Sequence, residues 1–124
     1  MTQAPVISVV DDDDSVRESL QALIRSVGFQ VKVFPSAEEF LHSEHLLNTD
    51  CLILDVRMPG MSGLELQGEL KARKLKVPII FMTAHESEDE VRSRALRNGA
   101  VEYLIKPISE AVLLNAVDTA LGLK

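Results

Sequence analysis

The feature that most constrains this chain is an alternation. Five short apolar runs, Val6–Val10, Val31–Phe34, Cys51–Leu54, Ile79–Met82 and Tyr103–Ile105, recur along the sequence, separated by stretches of helical hydrophobic spacing. Each run is aliphatic or β-branched and bounded by polar or turn residues, the pattern of a strand. All but the second are apolar enough to be buried on both faces, as in a parallel sheet. Between them, Val16, Leu20, Leu23, Ile24 and Val27 share one helical face, and Val112, Leu113, Ala116, Val117, Ala120 and Leu121 share another. Four Ser-x-x-Glu pairs, Ser15/Glu18, Ser36/Glu39, Ser62/Glu65 and Ser87/Glu90, read as capping boxes that start helices, while Gly28, Gly99 and Gly122 stand where helices should end. This rhythm predicts an α/β fold, (βα)5, with a doubly wound parallel sheet, right-handed crossovers and helices on both faces.

Composition removes several classes of function. With 124 residues, 46% hydrophobic and 26% charged, the chain makes a single domain that buries a core without disulfides or a structural metal. No apolar run approaches the roughly 18 residues of a membrane-spanning helix. The N-terminal stretch runs straight into four aspartates, unlike a signal peptide. Cys51 is the single cysteine, read as a small buried strand residue in a reducing compartment, so a cytoplasmic location is expected. A net charge of −6 makes the chain itself a poor ligand for nucleic acid.

In open parallel sheets the ligand sits beyond the carboxyl ends of the strands. The first apolar run is followed by Asp11, Asp12, Asp13 and Asp14, the third by Asp55, the fourth by Thr83 and Ala84, and the fifth by Lys106 and Pro107. The fold would gather these at one edge. Clustered carboxylates repel one another unless a cation compensates, and Mg²⁺ prefers a few carboxylate oxygens together with water and phosphate. A lysine adds a point charge for a phosphate oxygen and a threonine adds a hydrogen bond. The set therefore describes a phosphoryl site in which an aspartate can act as nucleophile. Asp13 and Asp14 read instead as a solvated helix start. His42 and His45, three apart on a helix, read as a solvated face, because no third metal ligand lies nearby.

The segments VVDDDDSVRESL, LILDVRMPGMSGLEL, PIIFMTAH and GAVEYLIKP, in this order, cover nearly the whole chain. In them the sequence resembles the receiver domain of two-component response regulators. VFPSAEEFL, DVRMPGMSG and the TAH triplet are most similar to the FixJ-type branch. The resemblance implies a flavodoxin-like, CheY-like sheet of order 2-1-3-4-5, filling residues 1–124 as one receiver domain with no output domain. It implies that Asp55 accepts a phosphoryl group from a partner sensor histidine kinase. Asp12 would bind Mg²⁺ (or Mn²⁺) directly, with Asp11 helping through water, and Asp55 and the Arg57 carbonyl would be further ligands. Lys106 would pair with the phosphoryl group across a cis Lys106–Pro107 peptide. Thr83 and Tyr103 would be the switch pair. Ala84, Arg57 and His85 would border the phosphosite, and Pro59 and Gly63 would shape the loop after Asp55. The signal would leave through the face made by the fourth helix, fifth strand and fifth helix, controlling homodimerisation of a chain otherwise monomeric, or a C-terminal helix-turn-helix DNA-binding domain outside this sequence.

The chain departs from the commonest family pattern at Ile108, where an aromatic is frequent, and between Thr83 and Gly99, which is one residue longer than usual. Two other classes share such a fold. A small phosphohydrolase would need a second acidic residue two positions after Asp55, where Arg57 stands. A flavin-binding module would need a glycine-rich loop after the first strand, where four aspartates stand. The reading is thus a signalling switch that promotes its own phosphotransfer and dephosphorylation, not an enzyme acting on other substrates.

Overall fold

The computed structural model describes residues 3–84 and 89–123. Strands β1 (Val6–Val10), β2 (Gln30–Phe34), β3 (Cys51–Asp55), β4 (Ile79–Thr83) and β5 (Glu102–Ile105) alternate with helices α1 (Asp14–Ser26), α2 (Ala37–Leu41), α3 (Gly63–Ala72), α4 (Asp89–Arg97) and α5 (Glu110–Ala120). A short 3-10 turn at Leu46–Asn48 precedes β3. All pairings are parallel, in the order β2-β1-β3-β4-β5. The expected (βα)5 sheet is the one observed.

Successive side chains on a strand point to opposite faces. Val10, Leu52, Leu54, Phe81 and Tyr103 therefore pack on one side with Phe40, Leu66, Leu70 and Ala95. Ile7, Val9, Ile53, Ile80 and Met82 pack on the other with Ile24, Leu113 and Val117. The two layers together bury every residue of β3 and β4.

Several expectations are corrected. The fifth apolar run is not covered on both faces: Glu102 is exposed and Ile105 is 40% exposed, because β5 is an edge strand like β2. Val27 and Val112 do not join the inner helix faces, being 46% and 49% exposed; Val27 is the residue on which α1 ends. The cap of α1 is Asp13, which accepts from the Ser15 and Val16 N–H groups at 2.8 and 3.3 Å, so Ser15/Glu18 is not a capping box. Ser36 caps α2 through the Glu39 N–H, and Ser62 with Glu65 forms a full reciprocal box on α3. Ser109 caps α5 without a glutamate three residues on. Ser87 lies outside the described residues. Gly28, Gly99 and Gly122 do take the positive φ of a helix end, but after α3 and its cap Arg73 that conformation falls on Lys74, at φ 59.

The β3–α3 junction decides where the end of β3 sits. Gly63 opens α3, its N–H donating to the Val56 carbonyl at 2.8 Å. A Cβ there would collide with the Asp55 carbonyl oxygen and lie 3.1 Å from Val56 Cα. Gly68, in the same helix, has nothing within 4 Å of its Cβ position. The two glycines should respond oppositely to alanine. Gly63→Ala is expected to destabilise by about 2 kcal/mol through backbone displacement, and Gly68→Ala to stabilise by roughly 0.5–1 kcal/mol through helix propensity. Urea unfolding of both variants checks this; a shared sign would contradict the packing described.

Candidate functional site

Sheet register brings the strand ends to one edge. Val10 faces Leu54, Asp55 faces Met82 and Thr83 faces Ile105, so the residues just beyond β1, β3, β4 and β5 converge. Strand pairing continues past Asp55, because the Val56 N–H donates to the Met82 carbonyl at 3.0 Å. The Lys106 N–H donates to the Thr83 carbonyl at 2.7 Å, holding the end of β5 against that of β4. The Lys106–Pro107 peptide is cis, as expected.

Asp11 is fully buried. One of its carboxylate oxygens accepts the Asp13 N–H at 2.9 Å, and the other lies 3.0 Å from Lys106 Nζ. Its own carbonyl accepts from Arg17 at 2.6 Å, and Arg17 also pairs with Asp14. Sequence reasoning passed over this brace; the Asp14/Arg17 spacing of three on a helix was the one signal for it. Lys106 Nζ also lies 3.8 Å from Asp55 Oδ2, so a single ammonium stands between two carboxylates. Asp12 is exposed at the mouth of the cleft, and Asp13 and Asp14 are exposed at the helix start.

Thr83 is fully buried at the end of β4, and Ala84 beyond it is exposed. Tyr103 is 8% exposed, with its ring 6.2 Å from that of Phe81. Its hydroxyl is close enough to feel Thr83, yet Oη meets hydrogen-bond geometry with no described residue. Burial raises the Tyr103 pKa. Arg57 and Pro59 are exposed on the loop that follows Asp55. Ile108 is half-buried and packs with the α1 and α5 side of the core. His85, and with it residues 85–88 of the segment from Thr83 to Gly99, lie outside the described residues. His42 is exposed, its Nδ1 at 2.8 Å from the Glu38 carbonyl oxygen, and His45 rests on the Phe34 ring; neither joins the site. Cys51 is buried, which pushes its thiol up to about 12 and makes it a poor nucleophile.

Asp11, Asp12 and Asp55 each offer a carboxylate oxygen, and these oxygens lie within 4.8 Å of one another. Three hard oxygen donors balanced by one lysine fit a divalent cation such as Mg²⁺. The strain of the arrangement registers on Asp55, only 6% exposed. Desolvation pushes its pKa up to about 6, Asp11 and Asp12 push the same way, and Lys106 and a backbone hydrogen bond from Arg57 hold it back.

A model described as the response regulator receiver domain matches residues 7–118. The chain is 46% identical over 121 residues to the response regulator protein TmoT of Ectopseudomonas mendocina, covering 98% of this chain and 54% of that one. It is 42% identical over 122 residues to the transcriptional regulatory protein FixJ of Azorhizobium caulinodans, covering 98% and 57%. The chain thus spans about half the length of the curated relatives it matches. Among solved structures, FixJ-N superposes with a TM-score of 0.85 at 34% identity, over 98% of this chain and 96% of that one.

The raised Asp55 pKa has a signed consequence for stability. The folded protein holds the Asp55 proton more tightly than the unfolded chain, so the favourable contribution is complete below the ordinary value of 3.8 and is lost as pH rises through about 6. In metal-free buffer, Asp55→Asn should therefore melt higher than wild type at neutral pH, with the gap closing as pH falls towards that ordinary value. Thermal unfolding across this range checks it; a gap that is absent, or that widens in acid, would contradict the assignment.

Proposed function

This chain belongs to the response regulator receiver domain family, and we propose that Asp55 is its phosphoacceptor, taking a phosphoryl group from the phosphohistidine of a sensor histidine kinase. The observation that carries this reading is the near-buried Asp55 carboxylate facing Lys106 at 3.8 Å in a cleft with two further carboxylates. An ionised Asp55 oxygen attacks phosphorus in line. The new O–P bond forms as the P–N bond breaks, the imidazole leaves with the bonding pair and is protonated from solvent, and the product is an acyl phosphate. Asp11 anchors Lys106, whose ammonium already stands where the phosphoryl oxygens arrive. Asp12, Asp55, the Arg57 carbonyl and, through water, Asp11 would hold Mg²⁺ or Mn²⁺, which supplies compensating charge to those oxygens. Attack by water later removes the phosphoryl group, with access set by exposed Ala84 and Arg57.

The switch follows from contacts made only in the phosphorylated state. Thr83 is drawn to a phosphoryl oxygen, and Tyr103, whose hydroxyl is close enough to feel Thr83, turns into the space that opens. The α4–β5–α5 face, where Ile105 and Val112 are exposed, then carries the signal. Its output is a homodimer or a helix-turn-helix DNA-binding domain, and the setting is cytoplasmic. Among the described residues no helix is long and apolar enough to cross a membrane.

Intact mass after incubation with a small acyl-phosphate donor tests the reading. We expect one added phosphoryl group that requires Mg²⁺ and is absent in Asp55→Asn. No mass gain under any condition, or an equal gain in the variant, would overturn it.

A further inference from the structure

The loop between Asp55 and α3 is fixed at both ends. The Val56 N–H to Met82 carbonyl bond and the Gly63 N–H to Val56 carbonyl bond hold its start, and the Ser62/Glu65 box closes its end. Its middle is held from elsewhere. Glu38, in the first turn of α2, reaches across 23 positions of sequence so that Oε2 accepts the Met61 N–H at 3.1 Å. Gly60 lies against the same carboxylate at φ 77, and a Cβ there would stand 2.5 Å from Oε2 and 3.5 Å from Oε1. Oε1 is buried and has no hydrogen-bond partner among the described residues.

A buried, unmatched carboxylate oxygen is costly, and a flexible side chain on a surface helix would ordinarily turn it to water. Glu38 is kept in place by its charge-assisted bond to the loop. That loop begins at Asp55 and carries the Arg57 carbonyl. We propose that Glu38 is a positioning residue for the phosphoacceptor site: by gripping the Met61 N–H it sets the path of the loop and so the placement of the Arg57 carbonyl beside Asp55, making divalent-cation affinity depend on a side chain of α2. This rests on the reading of Asp12, Asp55 and Arg57 as a Mg²⁺ site.

The test is a Mg²⁺ titration of the full chain, followed by amide NMR shifts, beside thermal unfolding and hydrogen exchange at Met61. Glu38→Ala should weaken Mg²⁺ binding by about fivefold, the scale of one hydrogen bond to a charged group acting indirectly, and should speed Met61 exchange. Glu38→Gln keeps an acceptor for Met61 and should bind Mg²⁺ within about twofold of wild type. Glu38→Asp keeps the charge but shortens the reach, and should behave like the alanine variant; it decides the matter if alanine unfolds. Wild-type Mg²⁺ affinity in Glu38→Ala or Glu38→Asp, whatever the change in melting temperature, would make Glu38 a structural staple and overturn the proposal. Absence of Mg²⁺ binding by wild type would overturn the metal-site reading and this inference together, and the wild-type arm tells that failure apart.

Discussion

Asp11, Asp12 and Asp55 are forced together by the sheet. Parallel pairing of β1 with β3 aligns their carboxyl ends, so residues that follow the strands must share one edge. Three carboxylates there repel, and one ammonium, Lys106, is too little to balance them. A chain selected for stability alone would place an asparagine in one of these positions. Retaining all three makes sense if the cleft is built for added positive charge and an incoming phosphoryl group, and most of the other features at this edge serve to hold the carboxylates where they repel. Asp11 is pinned by Asp13 and Lys106, the β1 terminus by Arg17, and the β3 terminus by the close approach of Gly63.

The central and outer strands divide the labour. β3 and β4 are sealed between two apolar layers and give the site a rigid floor. β5 is an edge strand with Ile105 partly in water. Elements with fewer buried contacts open at lower free energy. The same incompleteness corrects the expectation of a two-sided β5 and puts this strand at the less stable end of the sheet.

Much of this was legible in the sequence. The five strands fall within a residue of their observed starts and ends, and the side chains of Asp11, Asp12, Asp55 and Lys106 lie together at the edge where those strands end. What escaped was of two kinds. In the run Asp11 to Ser15 several residues are equally good helix caps, and only backbone conformation selects Asp13. Glu38 escaped because its partner is 23 residues away and no local motif marks it, the Ser-x-x-Glu spacing pointing to its neighbour Glu39 instead. Lys74 takes a backbone conformation for which glycine would have been the signal.

Asp11, Asp12 and Asp55 crowd one edge, so a divalent cation bound there should restore stability that their repulsion costs. Thermal unfolding of wild type and Asp12→Asn, without metal and across a Mg²⁺ series, tests it most directly. Asp12→Asn should melt higher than wild type in the absence of metal and gain little from Mg²⁺, while wild type rises with Mg²⁺ and saturates. An Asp12→Asn protein that melts lower without metal, or that gains as much from Mg²⁺ as wild type, would contradict it.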